Sequence, residues 1–126
     1  MKKSNENGRK GELIAAKFLI QKGYNIEAMN YRSRNGEVDI IASKDEYIVF
    51  VEVKTRSENM LALPYEAVTK SKQRKVLMAA NRYLSATECE KQPRYDIIEV
   101  YLSNDTSEKK HKVRQIESAF ELEGYM

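Results

Sequence analysis

Between Gly36 and Arg56 the chain reads GEVDIIASKDEYIVFVEVKTR. Two runs rich in β-branched and aromatic residues, Glu37–Ala42 and Tyr47–Thr55, flank the polar stretch Ser43–Glu46, which predicts a hairpin. A strand alternates its faces with period two. That rule puts Glu37, Asp39 and Ile41 on one face and Val38 and Ile40 on the other. On the second strand Phe50, Glu52 and Lys54 oppose Val49, Val51 and Val53. With the turn near Lys44–Glu46, Asp39 falls opposite or diagonal to Glu52, and diagonal neighbours on a ladder are about 7–8 Å apart.

The rest of the pattern surrounds this hairpin. Glu12–Lys22 has helical periodicity, beginning near Asn7, with Gly23 as a left-handed stop. Its apolar arc is Ala15, Ala16, Phe18, Leu19 and Ile20, and Glu12 projects inside that arc. Tyr24–Asn30 reads as a strand and Tyr31–Gly36 as a basic polar loop. Ser57–Leu63 is irregular but contains the apolar run Met60–Leu63, and Pro64 marks a helix start. Tyr65–Ser85 is mainly helical, interrupted near Thr69, which would cap the longer part. Val76, Leu77, Ala80, Tyr83 and Leu84 form its inward stripe, and Thr69 and Gln73 extend that line with polar residues. Arg94–Leu102 is a strand, Asn104–Lys110 a charged turn, His111–Glu117 a short last strand, and Ser118–Met126 a weakly specified tail. The order α-β-β-β-α-β-β predicts an α/β fold: a mixed central sheet with helices on its faces and a parallel crossover between the third and fourth strands. We expect one domain, 1–126, with flexible ends at 1–7 and 121–126.

Composition narrows the chemistry. The 126 residues are 41% hydrophobic and 33% charged, which suits one folded domain with a proper core. No apolar run is long enough for a membrane span. No apolar stretch follows the N-terminal basic residues as a signal peptide would require. Cys89 and His111 are the only residues of their types, which removes disulfide, Cys-rich zinc, Ser-His-Asp, Cys-His and multi-His chemistry and suggests a cytoplasmic setting. Net charge is +3 with a pI near 8.9, and the distribution says more than the total. Arg32 and Arg34 share a segment, Lys54 and Arg56 follow the hairpin, and Lys70, Lys72, Arg74 and Lys75 crowd one helix start. Such a helix end favours phosphate, although a solvated basic face would look the same.

Paired carboxylates on an internal hairpin raise each other's pKa unless something neutralises them. Mg²⁺ is held by one or two carboxylates plus waters and phosphate. Asp39 and Glu52 would suit it, and Lys54, on the Glu52 face, could meet developing phosphate charge. The alternative is an ordinary cross-strand ion pair on a solvated face. Glu12 either complements its helix dipole or reaches toward this acidic site.

Glu12 on the first helix, Asp39 on the second strand and Glu52-Val53-Lys54 on the third resemble the active-site pattern of restriction-endonuclease-like nucleases. The chain is similar, more closely still, to the bacterial YraN-like family of predicted endonucleases, themselves distantly similar to archaeal Holliday junction resolvases. The matching stretches include Gly8-x-x-Gly11-Glu12, Asn30-Tyr31-Arg32, Gly36–Ala42, Val49–Arg56, Lys72-Gln73 and Arg94-Tyr95-Asp96, from about Gly8 to Phe120. Val38 stands before the strand Asp where the superfamily often has Pro.

The resemblance implies a restriction-endonuclease-like core and Mg²⁺- or Mn²⁺-dependent phosphodiester hydrolysis. Asp39, Glu52 and the Val53 carbonyl would hold the ion. Glu12 would hold a water or a second, weaker ion. Lys54 would be catalytic and Gln73 supporting. Arg32, Arg34, Arg56, Lys70, Lys72 and Arg74 would meet nucleic-acid phosphates, DNA rather than RNA. No base-reading motif is visible, so shape, branch or end recognition is the expectation, and a branched substrate would suit a homodimer. Two other readings stay open: a non-catalytic nucleic-acid-binding module that keeps the fold, and a protein-interaction domain using Met60–Leu63.

Overall fold

The structure, a computed structural model, describes residues 2–57, 69–103 and 111–120, with the backbone alone for 2–5. The order is α1 (Lys2–Gln21), β1 (Asn25–Ser33), β2 (Gly36–Lys44), β3 (Tyr47–Ser57), α2 (Lys70–Thr87), β4 (Gln92–Leu102) and β5 (Lys112–Ile116). The strands form one sheet in the order β1-β2-β3-β4-β5. β3 and β4 pair in parallel and the other neighbours pair antiparallel. This is the predicted α/β order and mixed sheet. The Met60–Leu63 run, the Pro64 helix start, Tyr65–Val68, the Asn104–Lys110 turn and the end 121–126 lie outside the described residues.

The three central strands are buried on both faces, as their near-continuous apolar runs require. On one face α1 buries Ala15 and Leu19 against Ile40, Ala42, Val49, Val51, Ile98 and Val100. On the other, α2 buries Val76, Ala79 and Ala80 against Val38, Ile41, Ile48 and Phe50. α1 starts earlier than predicted, because its polar first half gives no hydrophobic period to read. Its end is as predicted: Gly23 has φ +95°, and Tyr24 N–H reaches the Leu19 carbonyl at 3.0 Å. Thr69 caps α2, accepting from Lys72 N–H at 3.1 Å.

Four expectations need correction. Ile20 is 56% exposed, outside the buried arc. Tyr31–Ser33 is strand, not loop, because these residues pair with Val38, Glu37 and Gly36 and leave only Arg34-Asn35 as the turn. The tail's first residues are fixed, since Ala119 N–H donates to the Tyr95 carbonyl and Phe120 packs on the Tyr95 ring. Most important, Val38 and Ile40 lie in opposite cores, so strict alternation fails around Asp39.

Two glycines let the helices close onto the sheet. A side chain at Gly11 would collide with Thr55, and a Cβ on Gly36 would sit 2.5 Å from the Lys75 carbonyl and 2.6 Å from the Ala79 nitrogen. Each adjoins a carboxylate, Glu12 on one face and Glu37 on the other. Among the described residues no helix is long and apolar enough to cross a membrane.

Candidate functional site

The β2–β3 ladder runs from Lys44↔Tyr47 to Ile40↔Val51 and stops there. Continued by one step it would set Asp39 against Glu52, as the hairpin pattern predicts. Instead the break in alternation turns Asp39 into the gap where the ladder ends. Its Oδ2 accepts the Val53 N–H at 2.8 Å, doing the work of a missing strand partner.

Glu52 is 6% exposed, and its carboxyl lies near enough to that of Asp39 for each to act on the other. Burial, then the Asp39 charge, pushes the Glu52 carboxyl up to about 7. Burial likewise raises Asp39, against the pull of its Val53 bond. Glu52 Oε1 is buried with no donor facing it. At neutral pH the pair therefore holds a shared proton or calls for a cation.

Glu12 is half-buried in α1. Its carboxyl is raised by burial and then by the Asp39 charge, while a hydrogen bond with Asn30 opposes the rise. It thus feels Asp39, but among the described residues no three Asp, Glu, His or Cys side chains converge closely enough to hold a metal ion alone. The neighbouring acidic donors are the Asp39 and Glu52 carboxylates. That set fits Mg²⁺, which takes few protein oxygens and keeps waters. The unpartnered Glu52 Oε1 supports the fit. Lys54 lies within electrostatic reach of Glu52. Gln73 is half-buried on the first turn of α2, its N–H bonded to the Thr69 carbonyl at 2.9 Å.

Lys72 enters the site in a way the sequence did not foretell. Its amine lies 2.6 Å from Glu37 Oε2 and 3.5 Å from Glu52 Oε2. Burial works against its charge, but the Glu37 bond and the Glu52, Glu37 and Asp39 charges outweigh it and hold its pKa above the ordinary lysine value. The Glu37 carboxyl is lowered, first by that same bond. Lys72 therefore balances the acidic cluster instead of standing free for phosphate. The available signal was its position beside Gln73, three residues after the Thr69 cap. For Asn30, which has φ +50° next to the site, no sequence signal existed.

The other basic residues divide. Arg32 acts electrostatically on both Glu12 and Glu37. Arg34 is exposed in the β1–β2 turn, and Lys70 and Arg74 are exposed on α2. Arg56 is largely buried, its Nε 3.7 Å from the fully buried Glu99. A separate buried carboxylate, Asp96, is fully engaged by Arg94 at 2.8 and 3.0 Å, Gln115 at 3.0 Å and Ser118 N–H at 3.0 Å. It ties β4 to β5 and the following turn, and is structural.

The model of Uncharacterised protein family UPF0102 matches residues 11–100. A UPF0102 protein of Porphyromonas gingivalis is 44% identical over 118 residues, 94% of this chain and 86% of its own length. One from Caldanaerobacter subterraneus is 46% identical over 123 residues, 95% of this chain and all of its own. A third, from Clostridium perfringens, is 42% identical over 124 residues, 97% of this chain and all of its own.

Proposed function

The chain belongs to family UPF0102, and from the chemistry of its acidic gap we propose that it is a Mg²⁺- or Mn²⁺-dependent phosphodiester hydrolase, an endonuclease acting on DNA. The observation that carries this reading is the buried Glu52, its Oε1 unpartnered, beside the half-buried Asp39. A buried carboxylate with a second one beside it costs stability, and a hard cation gives the pair a use.

Asp39, Glu52 and the Val53 carbonyl would hold the ion. When bound, Mg²⁺ or Mn²⁺ supplies Lewis acidity toward a phosphoryl oxygen and acidifies water. Lys54 orients the attacking water or meets charge developing on the phosphate. Glu12, its carboxyl raised by burial and Asp39, takes up a proton or holds a water at the edge of the gap. The Glu37–Lys72 pair fixes the Glu52 carboxylate from the α2 side, and Gln73 supports that turn. Arg32, Arg34, Lys70 and Arg74 neutralise backbone phosphates. None of these groups forms a base-reading motif, so recognition follows shape, branch or end, and a branched substrate would be cut by a homodimer.

A second reading draws on Lys72, whose ammonium already sits at Glu52: a DNA-binding module with no cleavage. A cleavage screen separates the two, using linear, nicked, flapped and four-way DNA with Mg²⁺ or Mn²⁺. We expect cleavage that Asp39→Ala and Lys54→Ala abolish while DNA binding survives. Cleavage retained by Asp39→Ala, or none on any substrate with either ion, overturns the hydrolase reading.

A further inference from the structure

Away from the acidic gap, the β1–β2 turn and α2 enclose two adjoining cavities. One, of about 750 Å³, is lined by Tyr31, Arg32, Arg34, Met78 and Arg82 among others. The other, of about 400 Å³, shares Arg32 and Arg34 and adds Gly36, Glu37 and Lys75. Gly36 brings the walls together, because its Cα abuts α2 backbone where any side chain would collide. One wall is the hairpin end, carrying Arg32 and Arg34. The other is one face of α2, on which Lys75, Met78 and Arg82 recur at helical spacing, spread over about 10 Å.

Among the described residues none of Arg32, Arg34, Lys75 and Arg82 makes an ion-pair contact. Four cations thus line the cleft with no carboxylate at ion-pair distance, Glu37 at its inner end acting on Arg32 and Lys75 only through space, and their natural complement is a chain of phosphates. Between them the larger cavity adds Tyr31 and Met78 to the polar Ser33 and Asn35. Met78 is 41% exposed, and Tyr31 is held edge-on to Tyr83 with ring centroids 5.4 Å apart. At its inner end the cleft meets Glu37, whose partner Lys72 reaches Glu52.

We propose that this cleft binds a single-stranded nucleic-acid segment and leads it to the acidic gap. The inference rests on the hydrolase reading for the direction of the strand, but not for the binding itself. A cationic groove with an aromatic or apolar floor tracks the backbone of a single strand and receives its sugars and base faces. A duplex keeps its bases inside, so it would ride on the cationic walls and leave Met78 and Tyr31 uncovered. Lys75 and Arg82 thereby join Arg32 and Arg34 as phosphate contacts, and Met78 becomes a floor contact.

The test is fluorescence anisotropy of a labelled oligo(dT) and of a blunt duplex of equal length, in EDTA so that no cleavage intervenes. Wild type should bind the single strand more tightly. Arg34→Ala/Arg82→Ala should weaken single-strand binding and flatten its salt dependence by about 1.4 in log–log slope, for two lost contacts at about 0.7 each. Met78→Glu, a change at an exposed position, should weaken the single strand more than the duplex. Preference for the duplex, an unchanged salt slope in the double variant, or displacement of oligo(dT) by poly-glutamate at equal charge concentration overturns the proposal. Absence of cleavage in the screen above leaves it standing, and duplex cleavage without single-strand binding sinks it alone.

Discussion

Replacing Glu52 by Gln should make the metal-free protein more stable, and the gain should grow with pH. The Glu52 carboxyl is 6% exposed, and burial and then Asp39 raise its pKa from 4.5 to about 7. At 1.36 kcal/mol per pKa unit, that rise corresponds to about 3 kcal/mol. Below about 4.5 the folded and unfolded chains both carry the proton and nothing is lost. Between about 4.5 and 7 the unfolded chain gives up its proton while the native state keeps it, so native stability falls as pH rises. Above about 7 both are ionised and the loss is complete. The substituted amide carries no charge at any pH, so the variant escapes this loss. It also frees Asp39 from its like-charged neighbour, while Lys72 keeps Glu37 at 2.6 Å. Urea unfolding in EDTA, followed by far-UV circular dichroism from pH 5 to 8, measures the difference directly. The variant's advantage over wild type should widen by about 2–3 kcal/mol across that range. A difference that stays flat with pH, or a Glu52→Gln protein less stable than wild type at pH 8, would refute the claim that Glu52 is held at a site adverse to its charge.

Gly36→Ala would place a methyl 2.5 Å from the Lys75 carbonyl and 2.6 Å from the Ala79 nitrogen. It should cost about 1–3 kcal/mol through overpacking, and an unchanged urea midpoint would mean that hairpin and helix do not abut there. Lys72→Met removes the cation 3.5 Å from Glu52. The Glu52 titration should climb further, by about one pH unit, as followed by carboxyl ¹³C NMR; an unmoved midpoint would make the contact incidental. Asp96→Ala strips the partner from the largely buried Arg94 and should cost about 3–5 kcal/mol in chemical unfolding. A loss under about 1 kcal/mol would contradict the anchoring role of that network.

The element order and the hairpin register as far as Ile40 opposite Val51 were legible because they depend on local periodicity. Two internal strands joined by a short turn bring Asp39 to the level of Glu52 once Lys44 meets Tyr47. The break at Asp39 was not legible: alternation is a property of a continuing ladder, and nothing in the letters Val-Asp-Ile says that the ladder stops. The extension of β1 to Ser33 was hidden for a related reason, since polar residues on a sheet edge look like loop until their partners are known. Lys72 was placed among the phosphate contacts because a lysine near a helix start carries the same signal whether it faces solvent or a carboxylate. Its commitment to Glu37 and Glu52 comes from how closely α2 lies on the sheet, which Gly36 permits. Arg56 was read outward for the same reason, while its partner Glu99 lies on the neighbouring strand β4, far away in sequence.

The central claim is that the Asp39–Glu52 pair takes a divalent cation in place of its shared proton. Calorimetric titration of Mn²⁺ at pH 7, in two buffers of different ionisation enthalpy, tests it most directly, because metal binding must expel any proton the ligands hold. We predict saturable binding of one ion with proton release in wild type, and none in Asp39→Asn. No saturable binding in wild type, or binding that Asp39→Asn leaves unchanged, would contradict the account.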